Sequence, residues 1–277
     1  MYVDAANLLE LGITDHKNTY PMAYYFLGWF KFHANESNIA LSFFRKAENM
    51  DPAYCFPNRI EEVLALKCAM EINPEGSKAA YFLGNFWYGN RQYMEAIDCW
   101  EKSVKHDNKF PTVHRNLALA YYNKLNNPQK ALAELETAFQ LDNSDSRVLM
   151  ELDQLYKKLG RGVDERFALL NNFPEAVNFR DDLYLELVTL NNLKGNYQQA
   201  LNLIMSRKFH PWEGGEGKVT GQYLFAHTEL AKEAIAAGLY KKALEHLTAT
   251  ETYPHNLGEG KLFGAQEMIY FLEGMCI

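Results

Sequence analysis

Apolar residues recur along this chain at intervals of three and four, in short runs that end at Gly, Asn or Pro and are followed directly by another such run. That spacing predicts amphipathic helices from end to end, and no stretch alternates as a half-buried strand would. The runs come in pairs with a period of a little over thirty residues, the mark of an architecture built by stacking one unit repeatedly. Units fall near 21–52, 77–108, 111–143, 146–174, 181–209 and 224–254. Residues 57–74 supply one helix without a partner before it, residues 2–12 read as a helix with a shortened turn, and a final helix is expected over 264–277. The two longest connections, 209–220 and 253–264, join one pair to the next.

Within the first unit Tyr24, Leu27 and Gly28 occupy the fourth, seventh and eighth positions, and Ala40, Phe44, Ala47 and Pro52 the twentieth, twenty-fourth, twenty-seventh and thirty-second. The unit 77–108 repeats this with Leu83, Gly84, Trp87, Tyr93, Ala96 and Trp100. After one inserted residue, 111–143 follows with Leu117, Ala118, Tyr121, Ala131 and Ala138. Small residues let two antiparallel helices approach, large ones fill the seam, and proline stops the second helix. The pattern resembles the tetratricopeptide repeat position for position. The resemblance implies an all-α, right-handed α-solenoid running as one body over 1–277, its concave wall lined by the first helix of each unit.

A narrower resemblance rests on the strings "CFPNRIEEVLAL", "AAYFLGNFWY", "RNLALAYYNK", "ELDQLYKKLG", "RDDLYLELVTLNN", "FHPWEGGEGKV" and "YPHNLGEGK", in that order. They are similar to the tetratricopeptide region of a family of large bacterial proteins whose N-terminal part is a β-rich, mutarotase-like domain of unknown function. That resemblance implies a piece of a longer protein, any carbohydrate chemistry lying in a domain absent from this chain. Both ends look cut, because neither carries a polar capping repeat.

Composition narrows the partner. With 48% apolar and 14% aromatic residues the chain can bury cores, and a net charge of −7 without a Lys/Arg run argues against nucleic acid and anionic membrane surfaces. No apolar stretch approaches the ~18 residues of a membrane span, and no basic start precedes an apolar run, so a cytoplasmic location is expected. Cys55, Cys68, Cys99 and Cys276 show no paired spacing and read as reduced core thiols.

Candidate chemistry is of two kinds. Repeat positions two, five, nine and twelve of the first helices place Tyr25, Trp29, Tyr81, Asn85, Tyr88, Arg115, Tyr122, Arg147 and Gln154 on the concave face, an aromatic and Arg/Asn surface suited to an extended peptide or a docking domain, including the β-rich domain of a parent protein. Asn85, Asn116 and Arg147 also match three of the five positions with which some tetratricopeptide domains grip a C-terminal carboxylate, but Tyr81 and Glu151 stand at the other two and Glu151 reverses the charge. The second kind is a duplicated Gly-Glu-Gly-Lys string carrying Trp212, Glu216, Lys218, Glu259 and Lys261. It is no phosphate loop: Trp212 and His255 stand where the first glycine is needed, Val219 and Leu262 replace the Ser/Thr, and a helix precedes each copy. Its bland role is a joint, each glutamate offsetting the dipole of a helix start; its functional role would be a small anionic or sugar-like ligand held by free N–H groups, lysine and indole. Asp181 and Asp182 read as a helix start, and the eight histidines occur singly without ligand spacing. No enzyme, cofactor or metal is expected.

Overall fold

The computed structural model describes residues 1–14, 19–260 and 267–276. Among these the chain is helical throughout, with no strand. It folds as two compact units, Met1–Asp142 and Asn143–Ile277.

The first unit contains α1 (Tyr2–Gly12), α2 (Pro21–His33), α3 (Ser37–Glu48), α4 (Ile60–Ile72), α5 (Lys78–Gly89), α6 (Tyr93–His106), α7 (Pro111–Asn123) and α8 (Pro128–Leu141). Proline opens α2, α7 and α8, where its missing N–H costs no hydrogen bond. The pairs α2/α3, α5/α6 and α7/α8 are the most closely packed neighbours of this unit. Glycine decides how closely: a Cβ on Gly28 would lie 2.4 Å from the Phe44 ring, and one on Gly84 2.4 Å from the Trp100 indole. Ala40, Ala96 and Ala131 across the seam are wholly buried. The irregular helix α4 packs on α2 and α5, and Glu62 closes its first turn by accepting from the Asn58 and Arg59 N–H groups at 2.7 and 2.8 Å.

A longer-range contact fixes where α5 starts. Glu48, at the end of α3, accepts from the N–H groups of Ser77, Lys78 and Ala79 at 3.0, 2.8 and 3.1 Å, and from the Tyr25 hydroxyl at 3.0 Å. One carboxylate thereby caps a helix of the next pair and neutralises its orphan donors.

The second unit contains α9 (Ser146–Lys158), α10 (Val163–Asn171), α11 (Pro174–Phe179), α12 (Asp181–Leu193), α13 (Tyr197–Met205), α14 (Lys218–Ala236), α15 (Tyr240–Ala249) and α16 (Glu267–Gly274), with a 3-10 turn at His255–Leu257. The pattern gave no sign of the short α11, and α14 begins six residues before the unit start expected at 224, so Lys218 is a helical residue instead of a loop residue. Asp145 caps α9 through the Arg147 and Val148 N–H groups. Beneath α9 and α12 lies a buried ionic cluster: Arg166 of α10 donates to both oxygens of Asp153 at 2.9 and 2.8 Å and to Glu186, which also accepts from Lys157 at 3.1 Å.

The turns inside the pairs, three or four residues long, share one feature in both units. Each places one residue in the left-handed region: Asn35 (φ 65), Arg91 (φ 63), Asn126 (φ 48), Gly160 (φ 72), Gly195 (φ 78) and Gly238 (φ 71). Glycine adopts this freely, asparagine tolerates it, and arginine is strained by about 1–2 kcal/mol. Arg91→Gly should therefore stabilise the protein by up to about 1 kcal/mol in denaturant unfolding, the remainder being offset by the freer unfolded chain.

Candidate functional site

The inner face of the first unit is narrower than the pattern implies. Tyr25 is 0% exposed, bonded to Glu48 and edge-on to Phe82 at 6.0 Å; Tyr81 is 6% exposed and packs on Phe110 at 4.8 Å. Both are core residues and offer a partner nothing, because Glu48, Phe82 and Phe110 close over these two rings. Trp29 is half-covered by Tyr2 of α1, ring centroids 6.1 Å apart. Tyr88 packs on Tyr93 and Trp100 within its own pair. Asn85 accepts from the Trp100 indole at 3.1 Å and from the Asn116 amide at 3.2 Å, so the two asparagines of the carboxylate-grip pattern meet each other. Arg115 and Tyr122 stay half-exposed.

In the second unit the first helices do enclose a groove. Met150, Gln154 and Lys157 of α9, Asp182, Leu185, Glu186 and Thr189 of α12, and Lys218, Gly221 and Gln222 of α14 line a volume of about 530 Å³, with Trp212, Glu213 and Gly214 at its edge. Gln154, Trp212 and Lys218, candidates of two separate kinds in the sequence, thus share one groove. Asp182 and Glu186 are held by Arg180 and Arg166. The side chains of Gln154, Trp212 and Lys218 make no hydrogen bond or ion pair to the described residues. Arg147 lies exposed and pairs with Glu151 at 3.4 Å.

The duplicated loops interlock. Glu259 reaches α14, accepting from the N–H groups of Gly217 and Thr220 at 3.0 Å each and from the Thr220 hydroxyl at 2.9 Å. It caps the helix that the other copy opens, not one that follows it. Glu216 caps no helix and only meets the Gly214 N–H at 3.3 Å. Asn256 ties the same junction to α13, donating to the Ile204 and Arg207 carbonyls and accepting from the Phe209 N–H. The glycines follow from this closeness: a Cβ on Gly215 would lie 2.2 Å from the Trp212 indole, and one on Gly258 (φ +68) 2.5 Å from the Phe209 carbonyl. Three of the donors that an anion site in the loops would use are already taken: Glu259 accepts from the Gly217 and Thr220 N–H groups, and the Gly215 carbonyl from that of Lys218. The cleft between the loops is bordered by Glu213, Glu216 and Glu259, which would repel an anion. Lys261 lies outside the described residues. Asp181 accepts from Arg207 and from the His210 backbone N–H, and its carboxyl is held below the ordinary value although burial opposes this. Burial pushes the thiols of Cys55, Cys68 and Cys99 up to about 11 each, which leaves them protonated and unreactive at neutral pH.

No family model matches the chain. Protein unc-45 homolog B of Xenopus tropicalis is 29% identical over 125 residues, which cover 44% of this chain and 13% of that protein's length. Among solved structures, Naa15/Naa10 bound to HypK-THB aligns with 93% of this chain and 34% of that chain at a TM-score of 0.54 and 14% identity. YrrB, described as a TPR protein with an unusual peptide-binding site, covers 80% of this chain and 96% of its own at 0.43 and 19%. The pilF protein of Pseudomonas aeruginosa covers 86% and 93% at 0.45 and 16%. The fold is that of a tetratricopeptide solenoid. No described helix is long and apolar enough to cross a membrane.

The tetratricopeptide register brings together a further set of side chains. Positions four and twenty-three face each other across a pair, as Tyr24 and Phe43 do, stacked at 6.4 Å. In the unit from Pro111, His114 meets Glu134 at 2.6 Å, and this hydrogen bond raises the imidazole's pKa against the opposing effect of burial. In the unit from Leu224, His227 meets His246, Nδ1 to Nδ1, at 3.0 Å, with the Tyr223 ring against His227 and Lys242 and Glu245 close to His246. Burial first, and His246 second, lower His227 to about 4. Histidines treated singly in the sequence are therefore a pair; counting nineteen residues forward within the repeat would have found it. Among the described residues no set of three or more metal-ligating side chains occurs.

The cap and the pair are each open to test. Glu259→Ala should destabilise the unit 143–277 by about 1–2 kcal/mol, the loss of a capping side chain, whereas Glu216→Ala should stay within about 0.5 kcal/mol, as read by urea unfolding. For His227, the unfolded state binds the proton more readily than the folded one, so stability falls as pH drops from 6.5 toward about 4. In His227→Gln the slope of the melting temperature over that interval should be smaller.

Proposed function

We propose that the chain is a non-enzymatic scaffold that holds an extended segment of a partner protein in the groove formed by α9, α12 and α14. The observation that carries this reading is a set of three donors without protein acceptors in one groove: the Gln154 amide, the Trp212 indole N–H and the Lys218 ammonium. The N–H of a half-buried tryptophan ordinarily finds a partner, and a polypeptide backbone presents carbonyl acceptors at regular spacing along its length. The groove walls are fixed before any partner arrives: Glu186 and Asp182 are locked by arginines, and α14 is anchored at its start by Glu259. Little ordering is then left to oppose association. Leu185 and Met150 supply apolar contact between the polar groups. A small-ligand role for the Gly-Glu-Gly loops gains no support, since the Gly217, Lys218 and Thr220 N–H groups are engaged within the protein and the cleft between the loops is bordered by three glutamates.

Selection of a displayed peptide library on the purified protein tests the reading. Enriched peptides should bind the wild type and lose about tenfold or more in affinity with the combined Gln154→Ala and Lys218→Ala changes, roughly 1.4 kcal/mol. Melting should change little, because neither side chain contributes an internal hydrogen bond or ion pair. Peptides that bind the double variant as well as the wild type would place the docking surface elsewhere.

A further inference from the structure

We infer that the segment held in the groove of α9, α12 and α14 carries a lysine or arginine whose cationic head enters the cleft between the two Gly-Glu-Gly loops, which deepens the proposed function and rests on it. The cleft measures about 530 Å³, and its lining side chains are three carboxylates, Glu213, Glu216 and Glu259, with the Trp212 indole and Pro211; the rest of the lining is glycine. No cation borders it among the described residues. The charge of these carboxylates is not met inside the protein. Glu213 makes no hydrogen bond or ion pair to the described residues, Glu216 meets only the Gly214 N–H, and the donors to Glu259 are backbone N–H groups and a hydroxyl, all of them uncharged. Three like charges around one concave space create a negative potential there, which an entering cation relieves.

Position links this cleft to the groove. Trp212, Glu213 and Gly217 line both volumes, so a chain lying in the groove runs beside the cleft. The two sides of the loop differ in sign: Lys218 lines the groove and not the cleft, whereas Glu216 and Glu259 line the cleft and not the groove. Within the groove Lys157 pairs with Glu186 and Asp182 with Arg180, so the ammonium of Lys218 stands against a second cation while the carboxylates draw it past Trp212. The indole packs on Gly215 and is only half-buried, and an indole is the aromatic surface that ammonium and guanidinium groups favour most. Lysine and arginine suit the path because their long stems lie along apolar surface while the head stays with the charge. An aspartate or glutamate at the same place in the segment would face three carboxylates, so the cleft selects by repulsion as well as by attraction.

The test is selection of displayed random linear peptides on the full chain, followed by titration of synthetic copies of the enriched ones. A lysine or arginine should recur at one position of the enriched set. Replacing it by glutamine should weaken binding to the wild type about fivefold or more, and replacing it by glutamate should weaken it further. Against the Glu213→Gln/Glu216→Gln protein the basic and glutamine peptides should bind within about twofold of each other, the coupling that a double-mutant cycle reads. That variant should melt close to the wild type, since neither carboxylate caps a helix and Glu259 stays in place. Enriched peptides that need Gln154 and Lys218 but show no basic preference, or that bind the Glu213→Gln/Glu216→Gln protein as they bind the wild type, would overturn this inference and leave the groove reading standing. Basic peptides that need Glu213 and Glu216 but neither Gln154 nor Lys218 would uphold the cleft and overturn the groove. Enrichment of no peptide would overturn both. Should the double variant fail to fold, unchanged affinity on replacing the peptide's basic residue would overturn the inference equally.

Discussion

Each helix pair in this protein buries only one face, so its stability depends on how near its two helices can come. The approach is set where Gly28 meets the Phe44 ring and Gly84 meets the Trp100 indole, with alanines at 40 and 96 on the facing helix. At these points a methyl group would have to occupy ring atoms, and rings packed edge to backbone cannot withdraw without opening a cavity. The left-handed residue in each intervening turn follows from the same constraint, because a short link between close antiparallel helices must reverse sharply.

Close pairs do not by themselves stack. What joins them is charge reaching across the sequence to a helix start: Glu48 to the first N–H groups of α5, and Glu259 to those of α14. Arg166 plays the complementary part, joining α9, α10 and α12 through Asp153 and Glu186. Such a buried ionic group adds little net stability over apolar packing, but it accepts few alternative arrangements, and it holds Glu186 in the groove wall.

The seams and turns were legible in the sequence because they are local: position eight, position twenty and the glycine between helices lie within one repeat. The concave face was legible only in part. Position five reads as a surface position from helix geometry, but Tyr25 and Tyr81 are closed over by Glu48, Phe82 and Phe110, residues that only the stacking brings near. Charges showed the same limit. Nothing within either Gly-Glu-Gly string distinguishes Glu216 from Glu259, yet one is idle and the other caps a helix forty-two residues before it. The histidine pair is the opposite case: its two members lie within one repeat, and the register contained the contact.

Duplication of a string therefore does not imply duplication of a role. In the first copy Gly215 makes room for Trp212, and Gly217, left-handed at φ 76, opens α14. In the second, Gly258 makes room for the Phe209 carbonyl, which lets Glu259 stand over that opening. Trp212 and Lys218, two of the three groove donors, lie on either side of Gly217 in the chain, so the backbone between them is held by a carboxylate that forms no part of the groove. A change in residues 253–260 would act on the groove through the start of α14 without touching an occupant. The second copy is thus better understood as the support of the first than as its repetition.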